Sequence, residues 1–157
     1  MISSIIDFIR INKVSTAEVT DAMGKTGNIP GVHPITNQIH CVGKVRWIYA
    51  YGDSNWDFHS QIRDIEPGDV VFVETFDFHD RAVFGSIVSK FLILYRQAAA
   101  IVVNGYVRDA HQLIKERYPI WSQGITPLGC FNKKVDYSFD EKIIKEKREQ
   151  YDGTIAI

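Results

Sequence analysis

The sequence predicts an α/β fold, and three observations carry that reading. Ala99–Val103 is a short, wholly apolar, β-branched run of the kind found in strands buried on both faces. Val70–Val73 is a second such run. Each follows a segment of helical period, Trp56–Ile65 before the one and Gly85–Gln97 before the other, and another helical pattern (Leu113, Ile114, Arg117) begins behind Ala99–Val103. With 157 residues, 45% of them apolar and 24% charged, the chain has the composition and length for one globular domain around one core.

The elements follow in order. Ile2, Ile5, Ile6 and Ile9 repeat at helical spacing and predict a short amphipathic helix. Ser15-Thr16-Ala17-Glu18 has the form of a capping box, in which the serine accepts from the third residue's amide and the glutamate returns the bond. It opens a second helix with an apolar stripe of Val19, Ala22 and Met23, stopped by Gly24 and Gly27, with Asp21 on its polar side. Asn28–His33, containing Pro30-Gly31, reads as loop. From Val42 to Tyr51, Val45, Trp47, Tyr49 and Tyr51 alternate with Lys44, Arg46, Ile48 and Ala50, which predicts a strand with one well-buried face. Gly52–Asn55 breaks it, a short helix follows, and Glu66-Pro67-Gly68-Asp69 is a tight turn into the strand at Val70. The helix at Gly85–Gln97 is expected to turn Ile87, Phe91, Leu94 and Tyr95 inward. Asn104-Gly105 is a turn signal after the central strand. Ile120-Trp121 begins another short strand and Gly124–Gly129 is loop. Ser138 with Glu141 forms a second capping box for a terminal helix, on which Glu141/Lys145 and Lys142/Glu146 are spaced to support each other.

Several classes of function are disfavoured. A net charge of −1 leaves no electrostatic footprint for direct nucleic-acid binding. The apolar runs are too short to span a bilayer. Asp7 and Arg10 within the first ten residues do not suit a signal peptide. Cys41 and Cys130 are isolated, so a reduced, cytoplasmic protein without a cysteine-held zinc is expected. There is no Gly-x-Gly-x-x-Gly, no P-loop and no Gly-x-Ser-x-Gly elbow.

Arg108 and Asp109 stand where a buried strand ends and a helix begins, the usual place for a site in α/β proteins. The structural reading is that Asp109 and Gln112 merely cap that helix and Arg108 is a surface cation. Asp77, His79 and Asp80 in the polar stretch Thr75–Arg81 have metal-ligand chemistry, but a hydrated loop is the commoner meaning of such a cluster.

An ordered set of short pieces resembles the RraA-like family. They are Ser15–Gly27, Pro34-Ile35, Gly43, Gly52-Asp53, Pro67-Gly68-Asp69-Val70-Val71, Gly85, Gly105-x-x-Arg108-Asp109, Gly124 and Thr126-Pro127. That family holds a regulator of ribonuclease activity and the metal-dependent 4-hydroxy-4-methyl-2-oxoglutarate aldolases, which also decarboxylate oxaloacetate; members were long mislabelled as demethylmenaquinone methyltransferases. The resemblance implies a single swivelling β/β/α domain over residues 1–157, strongest from 15 to 127, assembled as a homotrimer with clefts between subunits. It implies a small 2-oxo acid held by the amides of Gly85, Ser86 and Ile87 together with Arg108, and Mg²⁺ or Mn²⁺ held by Asp109. Arg108 and Asp109 would be the catalytic pair, with Asp21 reaching in from a neighbouring subunit. Such an ion would stabilise a pyruvate enolate as a Lewis acid, while the arginine fork grips a carboxylate with two parallel hydrogen bonds.

Three departures stand beside this. Ser86 replaces the acidic residue that the aldolases carry after the glycine, Gln112 replaces their second acidic position, and residues 135–157 differ from the family's closing β-hairpin. Three readings therefore remain open: a metal-dependent lyase on a small 2-oxo acid, a non-catalytic protein that binds and regulates a partner such as a ribonuclease, and a member that binds a small carboxylate without turnover.

Overall fold

The computed structural model describes residues 2–157. Its sheet has the strand order β1-β6-β5-β3-β2-β7, with β4 beside β5. The strands are β1 (His33–Pro34), β2 (Gly43–Tyr51), β3 (Asp69–Phe76), β4 (Ala82–Phe84), β5 (Ala100–Val107), β6 (Ile120–Ile125) and β7 (Ile155–Ala156). The four inner strands β2, β3, β5 and β6 run parallel, and the two edge strands are antiparallel. The helices are α1 (Ile2–Asn12), α2 (Thr16–Ala22), α3 (Trp56–Gln61), α4 (Ser86–Lys90), α5 (Ala110–Lys115) and α6 (Glu141–Tyr151). A 3₁₀ turn (Ile62–Asp64) extends α3, and a π turn (Phe91–Tyr95) extends α4.

The parallel arrangement buries both faces of the sheet, as βαβ crossovers require. On one face, Ile48, Ala50, Val71, Val73, Ile101 and Val103 meet Phe58 of α3, Leu92 of the π turn and Leu113 of α5. On the other, Val45, Trp47 and Phe72 are covered by Ile144 and Tyr151 of α6. β2 is thus buried on two faces rather than one. Its alternation reflects two different partners, helices on one side and the C-terminal segment on the other. Truncating the fully enclosed Phe58 to alanine would cost about 3–5 kcal/mol through lost burial and the cavity left behind.

The C-terminal segment, where the resemblance fades, is part of the sheet. β7 pairs with Gly43 and Lys44, and beyond it side chains take over the edge of β2. Asp152 Oδ1 accepts from Trp47 N–H at 2.7 Å, and the Gln61 amide accepts from Tyr49 N–H at 3.2 Å and donates to its carbonyl at 3.0 Å. These bonds cover an edge that would otherwise template pairing with another chain. Lys147 Nζ to Glu74 Oε1 (2.8 Å) and Trp47 Nε1 to Glu74 Oε2 (2.9 Å) fasten α6 to the sheet.

Several local expectations change. The Ser15–Glu18 capping box forms. The terminal helix is instead capped by Asp140, which accepts from Lys142 N–H, so Ser138 is not its cap. Of the two predicted pairs on it, Lys142–Glu146 forms at 3.9 Å, beside Lys145–Glu149. Only Ile9 of α1 is buried, and α2 buries no residue, leaving Phe8, Ile11 and Met23 exposed.

Asn104-Gly105 is not a turn, because β5 runs through it to Val107. β3 pairs with β5 as far as Val73 and Val103; past that point β4 takes its place, with Ala82 opposite Tyr106 and Phe84 opposite Val107. Asn104 Oδ1 bridges the fork by accepting from Thr75 N–H at 2.7 Å. A Cβ on Gly105 would lie 2.9 Å from Thr75 Cγ2, so close approach rather than turn geometry calls for glycine there.

Helix α4 also turns a different face inward. Ser89 and Leu92 are buried, whereas Ile87, Leu94 and Tyr95 are exposed. Ser89 goes inside because its hydroxyl donates to Gly85 O at 2.9 Å, and the π turn shifts Leu94 and Tyr95 off the 3.6-residue period. An apolar row of Ile87, Leu94 and Tyr95 is left on the surface.

Candidate functional site

The site lies where β4 passes into α4 and β5 into α5. Gly85 precedes α4 in extended conformation and supplies no side-chain cap. The cap comes from across the sheet: Asp109 Oδ2 accepts from Ser86 N–H at 2.9 Å, placing a carboxylate at a helix start, where charge favours it. Gly85 must lack a side chain, since a Cβ would run into Asp109 Oδ2 and lie 2.8 Å from Arg108 Cγ. Asp109 has φ 60° and ψ 35°, the left-handed region that aspartate and asparagine tolerate better than most residues.

The expected Asp109–Gln112 capping of α5 is therefore corrected. Asp109 precedes that helix, yet its side chain makes no bond to it; only its backbone carbonyl accepts, from Gln112 N–H at 2.9 Å and Leu113 N–H at 3.1 Å. Gln112 turns away and donates from Nε2 to Glu116 Oε1 at 2.6 Å. Asp109 caps, but it caps the neighbouring helix.

Arg108 is positioned by its backbone, whose N–H donates to Phe84 O at 3.1 Å. Its side chain is 49% exposed, its Nε lies 3.9 Å from Asp109 Oδ2, and it makes no hydrogen bond among the described residues. The guanidinium faces the Gly129 loop so closely that a Cβ on Gly129 would sit 2.6 Å from Nη1. Arg81 holds that loop, donating from Nη1 to Gly129 O at 2.9 Å while lying over the Phe131 ring.

Beside Arg108 opens a shallow cleft of about 570 Å³, lined by Ser86, Lys90, Asp109, Ala110, His111 and Gln112. Gly85, Ser86, Arg108 and Asp109 lie close together. Ile87 follows Ser86 but points its side chain to solvent at 81% exposure, and Asp21 sits exposed on α2, outside the cleft lining. Lys90 and His111 were not singled out from sequence. The signal for Lys90 was its place one turn after Ser86 on the same helix.

In the Thr75–Arg81 loop the polar side chains form clasps to neighbouring segments. His79 Nδ1 lies 2.8 Å from Asp53 Oδ2, and Tyr137 donates to Asp77 Oδ2 at 2.8 Å. The hydrogen bond to Asp53, and then its charge, hold the His79 imidazole above its usual pKa. Burial pushes the Cys130 thiol up to about 11, and its Sγ–H donates to Val83 O at 3.3 Å.

The cleft's donor set decides what it can hold. Among the described residues, no group of three His, Cys, Asp or Glu side chains comes together. Asp109 is the one carboxylate lining the cleft, and one of its oxygens already accepts from Ser86 N–H. Mg²⁺ binds hard oxygen ligands, keeping several waters and using one or two carboxylates together with substrate oxygens. Ser86 and Gln112 bring no charge, and Lys90 lines the same space. Within this cleft a divalent cation would meet one carboxylate, Asp109, with waters or substrate oxygens left to complete its shell, whereas Lys90 favours an anion.

A family model described as RraA-like, Aldolase/RraA, matches residues 16–147. The chain belongs to the RraA-like family. Solved structures share the fold of this RraA-like chain. An uncharacterized protein from Pseudomonas syringae pv. tomato is 23% identical over 81% of this chain and 60% of its own length, with a TM-score of 0.66. The RNA-processing inhibitor RraA from Thermus thermophilis is 17% identical over 78% of this chain and 74% of its own, with a TM-score of 0.64. RraAS2 of Streptomyces coelicolor, described as an unusual member of the RNase ES inhibitor RraA family, is 24% identical over 76% and 63%, with a TM-score of 0.63. The RraA-like chain therefore spans less than two thirds of the first and third of these proteins. No helix among its described residues is long and apolar enough to cross a membrane.

Proposed function

We propose that this RraA-like protein binds a small carboxylate of the 2-oxo acid class through Arg108 and does not turn it over. The observation that carries the reading is that Asp109, the one carboxylate lining the cleft, already accepts from Ser86 N–H through Oδ2, while Ser86 and Gln112 add no further charge for a cation. Arg108 beside it keeps a half-exposed guanidinium free of hydrogen bonds among the described residues. Its planar fork matches a carboxylate with two parallel bonds.

The retained Gly85, Arg108 and Asp109 support a second reading, the metal-dependent lyase acting by retro-aldol cleavage or decarboxylation. That reading needs acidic donors from outside this cleft, such as Asp21 of another copy. The test is calorimetric titration with oxalate in EDTA, paired with an oxaloacetate decarboxylation assay in Mn²⁺. Oxalate should bind in EDTA, Arg108→Lys should weaken it about ten-fold or more, and pyruvate should form at the protein-free rate. Oxalate binding that requires Mn²⁺, with pyruvate forming above background, would establish the lyase instead.

We further propose a homotrimer. The exposed row of Ile87, Leu94 and Tyr95 supports burial against another copy. Light scattering at micromolar concentration should report about three times the 17.9 kDa chain mass. A monomer would leave the row to a protein partner and favour the regulator reading.

A further inference from the structure

Lys90 and His111 are the cleft groups that the carboxylate reading leaves unused. Lys90 lies one turn after Ser86 on α4, and His111 lies in the first turn of α5. The two helices pack together, so both side chains line the same cleft. Neither makes a hydrogen bond or ion pair among the described residues. The carboxylate that lines the same cleft, Asp109, accepts from Ser86 N–H and faces Arg108. The Ser86 hydroxyl is likewise unpaired among the described residues and lines the same space.

The chemistry of these donors is specific. A lysine ammonium is a compact charge with three rotatable donors, suited to a tetrahedral oxyanion rather than to a planar group. An imidazole and a hydroxyl add donors from other directions, and no acidic residue other than Asp109 lines the space to repel a dianion. The Arg108 guanidinium approaches Gly129 and does not line this cleft, whose cationic side chains are Lys90 and, when protonated, His111. We infer that Lys90, His111 and the Ser86 hydroxyl form a seat for a phosphoryl group. Its residues are separate from Arg108, so it stands or falls apart from the carboxylate reading.

The test titrates the folded full-length chain with inorganic phosphate and, separately, with oxalate, both in EDTA. It compares wild type with Lys90→Gln, His111→Gln and Arg108→Lys, and circular dichroism confirms that each variant is folded. Phosphate should bind saturably to wild type. Lys90→Gln and His111→Gln should each weaken it about ten-fold while leaving oxalate affinity unchanged, and Arg108→Lys should do the reverse. The inference is overturned if phosphate does not saturate wild type, if both Lys90→Gln and His111→Gln bind it as wild type does, or if only Arg108→Lys loses it. Phosphate binding without oxalate binding would keep the seat and remove the carboxylate reading.

Discussion

Replacing Asp109 in a graded series separates its two jobs, sitting in a left-handed conformation and accepting the Ser86 amide hydrogen. Asparagine keeps both, because it tolerates φ 60° and its amide oxygen accepts the same bond. Only the charge is lost, and at 41% side-chain exposure that charge is well screened. Asp109→Asn should therefore cost less than about 1 kcal/mol. Alanine loses both jobs. The missing cap costs about 1 kcal/mol and the left-handed backbone another 1–2, giving roughly 2–3 kcal/mol. Glycine loses the cap but relieves the backbone, at the expense of about 0.4–1 kcal/mol of unfolded-chain entropy. It should fall between the two. Urea denaturation at neutral pH measures the series directly. In a domain of this size, each kcal/mol corresponds to about 2–4 °C in thermal midpoint. An alanine variant as stable as asparagine would refute the capping assignment, and a glycine variant less stable than alanine would refute the backbone assignment.

Lys147→Met should destabilise the fold by about 1.5–3 kcal/mol, since it leaves the mostly buried Glu74 carboxylate without its charged donor. A double mutant cycle with Glu74→Gln would measure the coupling, and a coupling near zero would sink the idea that this pair fastens α6. Burial, followed by the neighbouring Asp57 carboxylate, pushes the Tyr51 phenol up to about 12, while its hydroxyl donates to Tyr137 O at 3.1 Å. The folded value lies above the ordinary value of 10.0, so this stabilisation is complete below about pH 10 and is lost as pH rises toward 12. Ultraviolet titration should show a tyrosine that ionises only with unfolding and is missing in Tyr51→Phe; full ionisation of a folded protein near pH 10 would contradict this.

Local chemistry written in consecutive residues was legible in the sequence. The α/β class, the buried runs at Val70–Val73 and Ala99–Val103, the Ser15–Glu18 capping box and the strand-to-helix position of Arg108-Asp109 all depend on neighbours within one turn or one strand. What misled did so for the same reason. Asn104-Gly105 is among the strongest local turn signals, yet the chain stays extended because β4 arrives to replace β3 beside it. Asp109 and Gln112 have the spacing of a cap, yet the amide that the Asp109 carboxylate binds belongs to Ser86, 23 residues away. Helix α4 turns Ser89 rather than Leu94 and Tyr95 inward, because the Ser89 hydroxyl is satisfied inside its own helix. Tertiary structure alone placed Lys90 beside His111 and turned Ile87 to solvent. Residue order sets the period of each element, whereas which amide a carboxylate reaches is set by how the sheet brings β4 and β5 side by side.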